Sequence, residues 1–203
     1  MNISLKFIAM LAVVSSINLS SSASVNPHIY IDQQAQKMVS VITENEDLYS
    51  QDPNLFISKI NYIFEPMVDF RRVGASVMGK KYYLAATKEQ RIEFIEAFKS
   101  SLLNTYSSTL AQWGDQKIET IFPDEVNSTK VVDVQQNLIT SSNIYPIIYK
   151  VRNDGSGNWQ IINIIVNGVN LGLTFRNQFQ ALAAEHSENL DLIIQNWTSD
   201  ANL

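Results

Sequence analysis

The sequence predicts an α+β protein in which a helical layer packs on a curved antiparallel sheet of about four strands. Three observations support this class. Apolar residues recur at helical spacing in the first half of the chain, four apolar segments of strand length follow, and two helical segments close the chain. The 203 residues contain no repeat and no linker-like stretch, which predicts a single domain over residues 24–203.

The start of the chain has the pattern of a secretory signal. Lys6 precedes a short apolar run, Phe7–Val14, and a run of small and polar residues ends at Ala23. The apolar run is too short to span a bilayer. Residues 1–23 are therefore expected to be a signal peptide, and the mature protein is expected to be exported and soluble.

Helical spacing and capping residues predict three helices in the first part of the mature chain. An apolar stripe between Ile31 and Tyr49 marks the first helix. Asp52 followed by a proline has the pattern of an N-cap and a first helical residue, which starts the second. A short third helix, Phe70–Met78, is expected to stop at Gly79.

The longest helix has the clearest start signal. Thr87 and Gln90 have the spacing of a capping box, and apolar residues follow at steps of mostly three or four up to Gly114. After the strands, one helix is expected around Phe175 and another from about Ser187.

Four apolar segments between these helices are predicted to be strands. Pro146 lies within one of them, which predicts that this strand lies at an edge of the sheet or carries a bulge there. The predicted strands are Lys117–Phe122, Thr129–Leu138, Ile144–Arg152 and Asn158–Val166.

The last of these strands does not alternate. Five of the six residues from Ile161 to Val166 are large aliphatics, broken only by Asn163. A strand with one wet face alternates apolar and polar residues, so both faces of this strand are predicted to be covered. Helices or a bound ligand would each provide that cover, and the pattern does not choose between them.

Composition and motifs exclude several classes of function. The formal net charge of -5 argues against nucleic-acid binding, and the lack of cysteine removes thiolate metal sites and cysteine nucleophiles. No metalloprotease, nucleophile-elbow, P-loop or dinucleotide motif is present. His28 and His186 are interpreted as structural or solvated residues. We therefore predict no catalytic residue, no metal site and no enzyme activity.

Four basic residues lie within eleven positions, at Arg71, Arg72, Lys80 and Lys81. They form either an ordinary solvated face or a rim that meets an anionic phosphate or an acidic partner surface. Arg176 follows an apolar run and is expected to make a buried or half-buried bond to backbone or carboxylate.

Two longer stretches, Asp69–Leu110 and Asn158–Phe179, carry an ordered set of residues that resembles one family. The first contains Gly79, Tyr83, Phe94, Phe98, Thr105 and Tyr106, and the second contains Trp159, Asn163, Asn167, Gly168, Val169, Asn170, Leu171, Arg176, Gln178 and Phe179. This order and spacing is similar to that of the periplasmic phospholipid-binding proteins of the MlaC or toluene-tolerance type. The chain departs from that pattern at Asn163 and Asn167, where acids are usual, at Asn170 for serine, and at Tyr83 for tryptophan.

The resemblance implies a deep apolar lipid cavity between the helices and the sheet. It also implies a periplasmic carrier that shuttles phospholipid between outer- and inner-membrane complexes and so maintains outer-membrane lipid asymmetry. The implied partners are an ATP-driven lipid transporter of the inner membrane and a lipoprotein–porin complex of the outer membrane. The lipid is cargo rather than a cofactor, and the carrier is expected to be a monomer.

On this interpretation, acyl chains cover part of the sheet, and enclosing two of them calls for a pocket near or above about 1,000 Å³. The lining is expected to combine apolar residues of the sheet and of the helices. The predicted lipid-binding residues are Val73, Val77, Phe98, Leu102, Tyr106, Val132, Val134, Ile147, Tyr149, Ile162, Ile164, Val166 and Phe175.

Two other classes of function remain open on the residues alone. Helices followed by a curved antiparallel sheet also form small isomerases and hydratases, which need an acid–base group such as an Asp–His pair in the pocket. Neither histidine falls within a predicted strand, which counts against this alternative. An exported interaction domain with a dry, lipid-free core is the other alternative.

Overall fold

A computed structural model describes residues 26–125 and 130–199. The predicted signal peptide, residues 1–23, lies outside the described residues. The helices are α1 Pro27–Thr43, α2 Leu48–Gln51, α3 Pro53–Met67, α4 Phe70–Ala85, α5 Lys88–Leu110, α6 Leu171–Glu185 and α7 Leu190–Gln195. The strands are β1 Lys117–Ile121, β2 Val131–Ile139, β3 Ile144–Asn153, β4 Trp159–Val166 and β5 Val169–Asn170.

The predicted α+β class is confirmed. Five antiparallel strands form one sheet in the order β1-β2-β3-β4-β5, one more than the predicted four because β5 is a two-residue strand paired with the end of β4. Helices from both halves of the chain contact this sheet. Within the described ranges, no helix combines the length and the apolarity needed to cross a membrane.

The helix starts agree with the capping residues read from the sequence. Asp52 accepts a hydrogen bond from the backbone N–H of Leu55 at the start of α3. Thr87 and Gln90 form the complete capping box of α5, with each side chain bonded to the other residue's backbone. The helix ends were less well predicted, since α5 ends at Leu110 rather than near Gly114.

One prediction about helix bounds is wrong. The stripe that continued to Tyr49 is divided, because α1 ends at Thr43 and Tyr49 belongs to the short α2. The predicted helix stop at Gly79 is confirmed: Gly79 is non-helical, at φ 73° and ψ 164°, and two helices meet there across a kink within α4. Glycine adopts this conformation without the steric cost of a side chain.

Pro146 was predicted to lie in an edge strand or at a bulge, and this prediction is wrong. Its strand, β3, is central in the sheet, and the register irregularity lies at Lys150 and Val151 instead. Pro146 is tolerated because β4 ends at Val166, opposite Ile147. Beyond that point Pro146 contributes only its carbonyl, which accepts a bond from the backbone N–H of Asn167.

The same irregularity explains why Ile161–Val166 does not alternate. Val151 pairs with Ile161 and Lys150 pairs with Asn163, so β4 contains one extra residue, Ile162. A bulge of this kind shifts the alternation by one position. The helix-facing residues are therefore Trp159, Ile161, Ile164 and Val166, while Ile165 pairs with Ile148 on the opposite face, where both remain half-buried.

Candidate functional site

An apolar cavity of about 380 Å³ lies between the helices and the inner face of the sheet. Its sheet wall is formed by residues of four strands, and its other walls come from α1, α3, α4, α5 and α6. The sheet residues in this wall are Ile118, Gln136, Leu138, Ile147, Tyr149, Ile161, Asn163, Ile164 and Val166. The volume lies at the lower end of the usual range for ligand pockets, so the expectation of about 1,000 Å³ is not met.

Helix α1 forms one wall because its apolar stripe faces the sheet. Side-chain hydrogen bonds join it to β1, among them Thr120 Oγ1, which donates to Asp32 Oδ1 at 2.7 Å, and Gln36 Nε2, which donates to the carbonyl of Ile118 at 3.2 Å. The stripe predicted a helix, but its residues were not among the predicted lining. The stripe residues that line the cavity are Ile31, Ala35, Met38, Val39 and Ile42.

The junction of α3 and α4 is attached directly to β4. The backbone N–H of Asp69 donates to the carbonyl of Ile161 at 3.0 Å, and Val68 makes a parallel bridge with the same residue. This attachment places Met67, Val68 and Val73 against the sheet, where all three line the cavity.

One end of the helix–sheet interface is filled by aromatic rings instead of a cavity. Phe94 contacts Phe179 and Trp197 edge-on, each at 5.1 Å between ring centroids. Phe98 contacts Phe175 at 5.4 Å, and both of these rings also line the cavity. They therefore form the boundary between a dense core and an open space.

Nine of the thirteen predicted lining residues are brought together at the cavity. These are Val73, Phe98, Leu102, Tyr106, Ile147, Tyr149, Ile164, Val166 and Phe175.

The other four predicted residues are not part of the lining. Val77 and Val134 are fully buried in the core, and Val132 packs against that core. Ile162 is the extra residue of the β4 bulge, so the regular alternation that placed it on the inner face does not hold.

The polar groups of the lining are few. Asn163 makes two hydrogen bonds: its Nδ2 donates to Asn170 Oδ1 at 3.0 Å, and its Oδ1 accepts from the backbone N–H of Gly172 at 3.1 Å. Asn170 also caps α6 by accepting from the N–H of Leu173. Asn163 and Asn170, two of the three asparagines that depart from the family pattern, thus fix the start of α6 against the sheet.

Burial strongly affects the ionisation of Tyr149 in the lining. Burial raises the pKa of its phenol to about 12. The residue retains accessible surface and lines the cavity, so this surface belongs to the cavity wall. The phenol therefore stays protonated and neutral across the physiological pH range.

The two histidines lie elsewhere in the molecule. His28 is buried at the start of α1, where desolvation lowers its pKa, partly offset by a hydrogen bond to the backbone of Ile121. His186 is the C-cap residue of α6. Neither lines the cavity, and the described residues contain no group of His, Cys, Asp and Glu side chains arranged to hold a metal ion.

The basic residues singled out in the sequence are on α4 and α6, outside the cavity lining. Arg71, Arg72, Lys80 and Lys81 are all exposed, and two of them are paired: Arg72 with Asp69 at 3.1 Å and Lys81 with Glu188. The prediction for Arg176 is wrong, because this residue is exposed. Its guanidinium lies against the α4 kink, 3.2 Å from the position that a Cβ would take at Gly79.

Fold and cavity together define the class: a small α+β protein that encloses an apolar space between a helical layer and an antiparallel sheet. Residues 32–199 match the model of the family described as MlaC protein. The chain is 32% identical over 193 residues to the toluene tolerance protein ttg2D of Pseudomonas putida, covering 94% of this chain and 88% of that protein. The chain therefore belongs to the MlaC family.

Two further comparisons concern a sequence relative and a solved structure that shares the fold. The chain is 26% identical over 158 residues to the intermembrane phospholipid transport system binding protein MlaC of Haemophilus influenzae, covering 76% of this chain and 73% of the relative. A phospholipid-binding protein from Ralstonia solanacearum, solved in complex with a phospholipid, shares the fold with a TM-score of 0.75 at 21% identity. That match covers 83% of this chain and 92% of the solved one.

Proposed function

We propose that this protein is a periplasmic phospholipid carrier and that its cavity receives the acyl chains of the lipid. The observation that carries the proposal is the apolar cavity in a chain of the MlaC family. Two relatives support the assignment by name, one as a toluene tolerance protein and one as a phospholipid transport binding protein. Export through the signal peptide predicted over residues 1–23 is part of this proposal.

The energetics suit a carrier that exchanges lipid with membranes. Two chains with about 30 methylenes gain roughly 24 kcal/mol on leaving water, at about 0.8 kcal/mol per methylene. A bilayer offers the chains nearly the same gain, so transfer between cavity and bilayer is close to balanced. The direction of net transport must then come from the partners.

The volume of about 380 Å³ implies that carriage of a whole phospholipid changes the cavity. Pockets that enclose large ligands reach about 1,000 Å³. We expect lipid uptake to widen the space between α1 and the sheet, because the described side-chain hydrogen bonds from α1 to β1 are few: those of Asp32 and Gln36, and that of His28 at the start of the helix.

The first test is to purify the protein from a bacterial periplasm, extract it with organic solvent and identify bound lipid by mass spectrometry. Phospholipid in stoichiometric amount is the expected result. A lipid-free protein that also takes no phospholipid from vesicles would contradict the proposal and would favour the interaction-domain alternative.

A matched pair of variants on β4 tests whether the cavity is the lipid site. Ile164 lines the cavity, whereas its neighbour Ile165 faces the other side of the sheet with similar burial. Ile164→Glu is expected to abolish phospholipid retention while the protein stays folded by circular dichroism, and Ile165→Glu is expected to retain lipid. Equal lipid retention in both variants would mean that the lipid binds elsewhere. Unfolding of Ile164→Glu alone would mean that Ile164 belongs to the structural core.

The partners proposed for the carrier are an ATP-driven inner-membrane lipid transporter and an outer-membrane lipoprotein–porin complex. Exposed Arg71 and Lys80 are candidates for contact with an acidic partner surface or with a lipid phosphate. Reversing both charges should slow lipid transfer to membranes containing the partner complex and leave lipid retention unchanged. Loss of retention instead would assign these residues to the lipid.

The alternative of a small pocket enzyme has no specific support in the described cavity. An isomerase or hydratase needs a group that exchanges a proton near neutral pH. The described lining contains no His, Asp, Glu or Lys, and the raised pKa of Tyr149 keeps its phenol protonated near neutral pH. Binding, rather than catalysis, is therefore the function that we propose.

A further inference from the structure

One polar side chain in the cavity wall has a buried oxygen without a hydrogen-bond donor. Gln136 lies on the inner face of β2, is fully buried and lines the cavity. Its Oε1 accepts no hydrogen bond from any residue that the structure describes. A buried acceptor without a donor destabilises the folded state, so a glutamine here is more costly than an apolar residue of similar size.

A chain of hydrogen bonds determines which end of the Gln136 amide is left without a partner. Thr120 Oγ1 donates its single proton to Asp32 Oδ1 at 2.7 Å, because an ionised carboxylate only accepts. The Thr120 oxygen must therefore accept from its other neighbour, which is Gln136 Nε2 at 2.8 Å. The amide nitrogen is thus held toward β1, and the oxygen is the unmatched end.

The other buried polar groups with unpaired atoms lie outside the cavity. Among the described residues these atoms are His28 Nδ1, Asn61 Oδ1, Gln178 Oε1 and His186 Nε2, and none of the four residues lines the cavity. The asparagine of the lining, Asn163, is bonded through both ends of its amide, as described above. Among the described lining residues, Gln136 is therefore the one with a buried acceptor that has no donor.

A second polar group lies next to Gln136 on the same face of the sheet. Gln136 pairs with Ile147 on β3, and Tyr149 is two residues further along that strand. Diagonal neighbours on one face are about 7–8 Å apart, within reach of long side chains. The neutral phenol of Tyr149 can donate to an oxygen that itself donates to Gln136, so one hydroxyl group would suit both residues.

We infer that Gln136 and Tyr149 form a hydroxyl-binding site in the cavity wall and that the cavity prefers acyl chains bearing a hydroxyl over plain acyl chains. The inference rests on the proposed function, since it assumes that acyl chains enter the cavity. Ester oxygens and methylenes of an ordinary diacyl phospholipid have no proton to donate, so they leave the Gln136 oxygen unmatched. A trapped water molecule would also provide an O–H donor for the Gln136 oxygen.

The test uses phosphatidylcholine, because its head group has no O–H or N–H donor and any donor must come from the chains. Delipidated protein is incubated with vesicles of equal parts oleoyl and hydroxyoleoyl phosphatidylcholine, with the hydroxyl at a different carbon in each series. The bound lipids are then extracted and weighed by mass spectrometry. For the carbon that reaches Gln136 we expect about tenfold enrichment of the hydroxylated lipid, the effect of one well-placed hydrogen bond to a buried acceptor.

Two glutamines on β2 provide a matched pair for this test. Gln136→Leu should bind both lipids equally, and it should raise the melting temperature because it removes the unmatched oxygen. Gln135→Leu changes an exposed residue on the opposite face and should keep the wild-type preference. If Gln136→Leu does not fold, Thr120→Val keeps the glutamine but removes the acceptor that orients its amide, and the preference should fall toward unity.

Three results would overturn the inference, each in a different way. Equal binding of the two lipids by the wild-type protein at every hydroxyl position would leave the carrier function intact and remove the selectivity. The same equality without a rise in melting temperature for Gln136→Leu would assign the acceptor to a trapped water, since an oxygen bonded to water is not unmatched. Failure of the wild-type protein to take up any phosphatidylcholine or other phospholipid would overturn the proposed function as well.

Discussion

The two halves of α5 lie in opposite environments, although one helix forms both. In its first half, Phe94 and Phe98 are fully buried among the rings of α6 and of the segment after α7. In its second half, Leu102, Tyr106 and Leu110 are only partly buried and line the cavity. The helix therefore connects a filled half of the helix–sheet interface to an open half.

This difference separates the residues that stabilise the fold from those available for ligand. Close-packed aromatic rings bury large areas and gain further from edge-to-face contact. Residues facing an apolar space lack contact atoms on one side, so they gain less stabilisation from dispersion attraction. We expect substitutions in the filled half to lower stability and substitutions in the open half to change lipid binding.

The largest expected effect is that of Phe94→Ala in the filled half. Removing a fully buried phenylalanine costs about 3–5 kcal/mol, which lowers the melting temperature by about 10 °C in a protein of this size. Leu102→Ala in the open half should cost well below the roughly 2–5 kcal/mol of a buried leucine, because the space beside it is already empty. Thermal unfolding of both variants is the measurement, and equal losses would mean that the two halves are packed alike.

The next largest expected effect is that of Gly79→Ala, which tests the kink of α4. Its backbone, at φ 73° and ψ 164°, lies in a region that is essentially restricted to glycine, and the strain in another residue is about 1–3 kcal/mol. The new Cβ would also lie 3.2 Å from the Arg176 guanidinium. Gly114→Ala is the control, because a Cβ there meets only Gln116 at an ordinary 3.7 Å. A stability loss of similar size in the control would exclude strain at the kink.

The sequence predicted which face of an element turns inward better than it predicted what lies against that face. Capping residues such as Asp52 and Thr87 act within one turn of helix, so the sequence alone was enough to predict where these helices start. Val77 and Val134 were correctly assigned to inward faces but not to the filled half, because contacts distant in sequence decide whether a ring or a space lies opposite. Ile162 was assigned to the lining because a bulge is set by strand pairing, which residue alternation does not reveal.

A third prediction compares the insertion of bulk in the two halves. Val77→Phe enlarges a fully buried residue of the filled half and should cost about 1–3 kcal/mol. Leu102→Trp places its extra atoms in the cavity and should cost less than about 1 kcal/mol, while the amount of co-purified phospholipid falls. The measurements are melting temperature and extracted lipid for each variant. Equal destabilisation by the two changes would indicate that the cavity has no room for the indole.

The smallest expected effect comes from an exposed ion pair between Lys81 and Glu188. Lys81 on α4 pairs with Glu188 between α6 and α7, and Tyr82 donates a hydrogen bond to the same carboxylate at 3.3 Å. The hydrogen bond from Lys81 lowers the pKa of Glu188, and the same bond raises the pKa of Lys81.

These pKa shifts set the pH range in which the pair stabilises the fold. Because the carboxyl pKa of Glu188 is lowered on folding, the ionised carboxylate stabilises the folded state above the unfolded pKa, 4.5, and this stabilisation is lost as the pH falls through the folded pKa. Because the pKa of Lys81 is raised on folding, the charged lysine stabilises the folded state below its unfolded pKa, 10.5, and this stabilisation is lost as the pH rises through the folded pKa. Glu188→Gln should therefore lower the melting temperature between these limits, by no more than about 2 °C because the pair is exposed, and should have less effect outside them. Glu185→Gln, an exposed change nearby, is the control, and a pH-independent loss in Glu188→Gln would assign the effect to packing rather than to charge.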